Sequence, residues 1–247
     1  MNKLLSICAL AAAAALACAG PANAADMPLK APPAPPPAWS WTGLYTGVHV
    51  GGGWGSTSFL DNATATIPPG SPESFNSLSG AMGGTQTGFR WQLGQFVLGA
   101  ETTFDWTNIE QTILTGSTVF PGENLNFGVR WMGTATGQLG FAWDRLLFYG
   151  KGGYAGGLAN ITISLPSTGA AASQSRHLNG WTAGAGIEYM VLQNLSLGVE
   201  YDHYDMSYDP AGAATVSSYT QLGGRVKIDA VMARANIKSD WLSMLFR

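Results

Sequence analysis

Residues 126–163 read NFGVRWMGTATGQLGFAWDRLLFYGKGGYAGGLANITI, two long alternating segments that meet at Asp144-Arg145. In the first segment Phe127, Val129, Trp131, Ala135, Leu139, Phe141 and Trp143 share one parity. Arg130, Met132, Thr134, Thr136 and Gln138 occupy the other. Successive side chains of a strand point to opposite faces, so this pattern describes strands with one apolar and one polar face. Ordinary strands run about 5–6 residues, whereas a strand tilted across a bilayer needs roughly 9–11. The hairpin is long enough to cross a membrane, and it predicts an all-β, antiparallel transmembrane barrel.

Composition agrees. Charged residues make up 11% of the 247-residue chain, against about 25% in a typical soluble domain. Glycine is abundant at 33 residues and aromatics are plentiful, which suits an outer wall facing lipid. The net charge of −3, with no basic cluster, argues against a nucleic-acid partner.

Residues 1–24 read as a signal peptide: Lys3, an apolar run from Leu4 to Ala17, and the cleavage site Ala22-Asn23-Ala24. Both cysteines, Cys8 and Cys18, fall within it. A mature chain without cysteine has no disulfide, thiolate metal site or thiol nucleophile. Acylation of Cys18 as a lipoprotein is the weaker alternative, because Leu16 sits one position off the usual pattern. Beyond residue 24 no run of 18 apolar residues remains for a membrane helix. A secreted chain can still span a bilayer as a closed barrel, since closure satisfies every backbone group. Residues 25–40 form a Pro-rich lead of extended, semi-rigid character, and the barrel is expected over 41–247.

Six further strands complete the pattern. Strand 1 is expected over Trp41–Trp54, strand 2 over Gly80–Trp91 and strand 3 from Phe96 to Trp106. Strands 4 and 5 are the opening hairpin, strand 6 spans Asn179–Met190, strand 7 starts at Leu195, and strand 8 lies within Val226–Trp241. Long connections at 56–78, 110–125, 164–178 and 209–224 alternate with tight turns near Gly94, Asp144 and Asn194. Outer-membrane barrels have short periplasmic turns, long outer loops and an even strand number. Eight strands with both ends on the short-turn side therefore place the termini in the periplasm. Asp229 falls on the apolar parity of strand 8, which predicts a loop boundary or bulge near it.

Eight strands enclose an interior only wide enough for side chains, so the aromatic parity must face outward. The expected lipid-facing girdle is Trp54, Phe89, Trp91, Trp106, Trp131, Phe141, Trp143, Trp181, Tyr189 and Trp241. The opposite parity collects Arg90, Glu101, Asp105, Arg130, Lys151, Glu188, Glu200, Asp202 and Arg234 as barrel-interior charges. Enclosed charges need partners. The near balance of signs and the small strand number favour a salt-bridged plug over a charged pore lining.

Three segments carry a family resemblance: Trp41-Thr42-Gly43-Leu44-Tyr45-Thr46-Gly47 behind the Pro-rich lead, Gly51-Gly52-Gly53-Trp54, and Phe148-Tyr149-Gly150-Lys151-Gly152-Gly153-Tyr154. In these the chain resembles the RopB-type small outer-membrane barrels of alpha-proteobacteria. The resemblance implies an eight-stranded barrel with a surface and envelope role, sometimes labelled porin-like. It also implies a terminal aromatic read by the outer-membrane assembly machinery. By strand parity Trp241 takes that position, while Phe246 is penultimate.

Three function classes follow. The first is a structural and surface-interaction barrel in contact with outer-membrane lipids and lipopolysaccharide, whose long loops could meet an extracellular ligand or host surface. The second is a narrow porin-like channel, and the third a lipid-modifying enzyme. For the enzyme, a His-Ser-acid group is conceivable at His203 with Asp202, Asp205 and Ser207, but these residues are too common at a polar rim to identify one. Alternate strand residues point to opposite faces, so Asp202-His203-Tyr204-Asp205 lacks metal-ligand spacing. The Gly-rich stretches precede no helix and carry no Lys-Ser/Thr pair, so they are not phosphate loops. The reading requires no cofactor, metal or catalytic residue.

Overall fold

The computed structural model describes residues 39–61, 72–113, 124–208 and 222–239. They form eight strands: β1 (Gly43–Asp61), β2 (Pro72–Leu93), β3 (Phe96–Ile113), β4 (Asn124–Trp143), β5 (Leu146–Leu165), β6 (Ala170–Leu192), β7 (Leu195–Tyr208) and β8 (Leu222–Ser239). Each strand pairs antiparallel with the next, and β1 also pairs with β8, so the sheet closes into a barrel. Closure leaves no unpaired edge, the condition for showing a sheet to hydrocarbon. The expected signal peptide, the lead up to Ala38 and Trp241 lie outside the described residues.

One rim carries three tight turns, between Leu93 and Phe96, Trp143 and Leu146, and Leu192 and Leu195. Gly94 at φ 63° and Asp144 at φ 52° take the left-handed conformation that two-residue hairpins demand. At the other rim the strands run well past their expected ends. β1 continues to Asp61, β2 begins at Pro72, and β3 and β4 reach Ile113 and Asn124. The connection expected at 164–178 is instead ordered hairpin: β5 stays paired to Leu165 and β6 starts at Ala170, with Gly169 at φ 71° in the turn. Beyond the bilayer the outer face no longer meets lipid, so the apolar alternation that marks a strand fades. The backbone ladder continues regardless. The 23 residues of β6 rise about 58 Å at ~3.3 Å per residue and ~40° tilt, against an apolar band of about 25 Å.

The opening stretch contains the main correction. Arg130 points outward and is exposed, not enclosed with the other charges. The reason is a bulge. Val129 pairs with Ala159 and Trp131 with Leu158, which leaves Arg130 as an extra residue against β5. The β3 ladder shifts at the same level, between Trp106 and Ile109. An extra residue exchanges the two faces of a strand. Phe127 and Val129, read with the outer aromatics from parity alone, are therefore buried inside. Asp229, where irregularity was expected, sits in an unbroken ladder between Trp54 and His203. Its outward carboxylate is satisfied locally, accepting from Tyr201 Oη at 2.6 Å and His203 Nδ1 at 2.7 Å.

On the outer wall Trp54, Phe89, Trp91, Trp106, Phe141, Trp143, Trp181 and Tyr189 are exposed. Trp131 is half-buried, stacked on Phe104 at 5.7 Å. Tyr154 and Tyr201 extend the row that runs through Trp54, Trp106, Trp131 and Trp181. On β3 the ten residue steps from Phe96 to Trp106 rise about 25 Å, the height of an apolar membrane band.

Candidate functional site

The barrel interior is filled in three storeys. At the short-turn rim, Trp41 is buried with Val97, Ala142, Leu147, Tyr149 and Met190, and Trp39 packs against them. Local polar contacts fix this segment across the mouth. Trp41 N–H donates to Gln92 Oε1 at 2.8 Å and Lys238 Nζ to the Ser40 carbonyl at 2.8 Å. The Arg145 guanidinium lies 4.2 Å from the Trp39 ring centroid.

The middle storey holds the charges. Arg90 makes a bidentate pair with Glu188, Nη1 to Oε2 at 2.9 Å and Nη2 to Oε1 at 2.7 Å, and Ser196 Oγ donates to the same carboxylate at 2.9 Å. Arg90 Nε donates to Gln138 at 3.1 Å, and its guanidinium lies 4.3 Å from the Tyr45 ring centroid. Arg234 bridges Glu101 and Glu200 directly. Lys151 Nζ stands 2.8 Å from Glu200, 3.1 Å from Asp202 and 3.6 Å from Glu101. Tyr45 Oη donates to Glu101 at 2.7 Å and Tyr149 Oη to Glu200 at 2.6 Å. Just above, His49 joins Asp105 and, through Nδ1, Gln86 at 2.7 Å. Of the nine charges expected inside, the structure brings eight into this network and turns Arg130 out.

Paired burial follows from necessity. An isolated ion here would face the full desolvation cost, and bidentate geometry with added hydrogen bonds offsets it. Inward glycines make the room. A Cβ on Gly186 would come within 2.4 Å of Tyr149 Oη, and one on Gly88 within 2.5 Å of Tyr45 Oη.

The third storey is apolar. Leu78, Met82, Ile109, Phe127, Val129, Met132, Leu178, Met206, Val226, Ile228 and Met232 form one buried cluster toward the long-hairpin end, with Tyr204 and Tyr208. Sequence reasoning missed this storey because it assigned apolar side chains to lipid. The signal was present: Met82, Ile109 and Met232 share the parity of Arg90, Asp105 and Arg234 on their own strands.

The candidate His-Ser-acid group is not assembled. Asp202 points inward to Lys151, His203 pairs with Asp229, Asp205 with Arg225, and Ser207 Oγ donates to the Asn179 carbonyl. Among the described residues no three His, Asp or Glu side chains are placed to hold a metal ion. The arrangement neutralises the enclosed charges against one another and fills the lumen at their level.

Comparison with known proteins gives the same class. The 31 kDa outer-membrane immunogenic protein of Brucella melitensis is 34% identical over 197 residues, covering 75% of this chain and 81% of that protein. The 25 kDa outer-membrane immunogenic protein of the same species is 27% identical, covering 86% of this chain and 91% of the relative. The 22 kDa outer membrane protein of Rhizobium leguminosarum is 29% identical, covering 70% and 69%. The family model described as outer membrane protein beta-barrel domain matches residues 9–230. With a closed eight-stranded barrel wearing an apolar belt, the chain belongs to this family and is an outer-membrane protein of a Gram-negative envelope.

Proposed function

We propose that the barrel is a closed structural and surface-interaction element of the outer membrane, neither a channel nor an enzyme. One observation carries this reading: side chains fill the interior in succession from Trp41, through the Arg90–Glu188 and Arg234–Glu101–Glu200 contacts, to Phe127 and Tyr208. An ion passing through would have to break buried pairs and then cross an apolar storey. The short turns face the periplasm with both termini, and the long hairpins face outward. The outward hairpins contact lipopolysaccharide and any external ligand or host surface, and the assembly machinery handles the chain during insertion. Two relatives are named immunogenic, which fits display at the surface.

Planar-bilayer recording tests the closed interior. Purified protein is expected to give no stable conductance steps. Reproducible steps from a homogeneous barrel would overturn the reading. Deletion of the protein is expected to leave the cell's lipid A profile unchanged.

A further inference from the structure

Above the aromatic row, the outer faces of β7, β8 and β1 carry a group that the interior reading does not use. Arg225 and Lys227 lie two residues apart on β8, both outward and exposed. Arg225 is held from one side only: its Nε donates to Asp205 Oδ1 at 2.6 Å, and its side chain remains 59% exposed. A guanidinium pinned at Nε presents its two terminal nitrogens as a fixed fork. Hydroxyls flank the pair on both neighbouring strands. Ser58 and Ser207 sit directly across from Arg225, while Lys227 faces Ser56 on β1 and, on β7, Asp205, whose carboxylate already accepts from Arg225. Directly paired side chains on one face stand about 4.5–5.5 Å apart at Cβ. Trp54, exposed on the same face, pairs with Asp229 one outward position below Lys227.

We propose that Arg225 and Lys227, with Ser56, Ser58 and Ser207, form a seat for the phosphate of an outer-leaflet lipid headgroup. Two cations and three hydroxyls suit a phosphate's oxygens, and an arginine fork matches them bidentately. The position selects the lipid over free phosphate. Trp54 marks the top of the apolar belt beneath, so acyl chains lie below the seat while the headgroup meets it. Arg130 supplies a contrast: it is outward just beyond Trp131, on the opposite wall, with no second cation on its strand. The proposal deepens the surface-interaction reading and rests on it only for which rim faces outward. Conductance tests the closed interior without involving Arg225.

Native mass spectrometry of the full barrel in detergent, titrated with bisphosphorylated lipid A, measures the seat. Arg225→Ala is expected to weaken binding about tenfold, the scale of a lost hydrogen bond to a charged group, and Lys227→Ala by less. Arg130→Ala is expected to leave binding unchanged. Dephosphorylated lipid A should bind wild-type protein about as weakly as bisphosphorylated lipid A binds Arg225→Ala. Equal losses in Arg225→Ala and Arg130→Ala would show general surface charge and overturn the seat. So would equal binding of the two lipids, which needs only wild-type protein and stands even if a variant fails to assemble. Full displacement by millimolar inorganic phosphate would reassign the group to free phosphate and overturn the headgroup assignment.

Discussion

Glu188→Gln tests whether the middle storey is a set of mutually dependent charges. Glu188 is completely enclosed, accepts both terminal nitrogens of Arg90, and accepts a third bond from Ser196. Neutralising it leaves the Arg90 guanidinium with Gln138 and the faces of Tyr45, Tyr149 and Trp41. Those contacts exist already in the native barrel, so they offset nothing. Breaking one side of a buried pair costs about 3–5 kcal/mol; glutamine keeps the volume and one acceptor, which places the loss near 3 kcal/mol. Replacing both partners with apolar side chains of similar size, Arg90→Met with Glu188→Leu, removes the stranded charge and should return to within about 1–2 kcal/mol of wild type. Guanidinium unfolding in phospholipid vesicles, followed by tryptophan fluorescence, gives these numbers, and unboiled gel mobility confirms assembly beforehand. A single-variant loss below about 1 kcal/mol, or a double variant as unstable as the single, would refute the coupling.

Two further expectations follow from particular positions. Both native cysteines, Cys8 and Cys18, precede the barrel; with these replaced by serine, Arg130→Cys should react with a membrane-impermeant maleimide while Val129→Cys stays protected, and the reverse result would mean that the bulge does not exchange the faces of β4. Gly186→Ala should destabilise the barrel by about 1–3 kcal/mol through overpacking against Tyr149, while Gly152→Ala, whose added Cβ approaches nothing closer than 3.6 Å, should unfold at the wild-type denaturant midpoint.

The barrel was legible where its solvent changes sharply. Alternation from Phe96 to Trp106 and from Trp131 to Trp143 registers lipid on one face, so strand count, tight turns and the outer girdle could be read directly. Past the girdle that contrast disappears, which is why the ordered hairpin at 164–178 looked like a loop. Arg130 shows a second limit. A bulge changes parity without changing composition, and no turn residue marks it. The signs of the interior charges were readable from Arg90, Glu101 and Arg234, but their pairing was not. Arg90 and Glu188 are 98 residues apart and meet only because β2 and β6 lie across the same narrow lumen.

The charged storey and the apolar storey above it solve different physical problems with the same inward parity. Beneath the aromatic row the wall is surrounded by hydrocarbon, and an interior built only of small apolar groups would leave the membrane segment without directional contacts between non-neighbouring strands. The charged network supplies them: Arg234 of β8 reaches Glu101 of β3, and Arg90 of β2 reaches Glu188 of β6, across the lumen in both cases. Above the row water surrounds the wall, so burying Phe127, Ile109 and Val129 inside regains the hydrophobic contribution unavailable within lipid. His49 and Asp105 sit where the regimes meet, capping the charges before the apolar packing begins. On this account a polar substitution at Phe127 should act mainly on the projecting hairpins, and the loss of Glu188 on the membrane-spanning barrel itself.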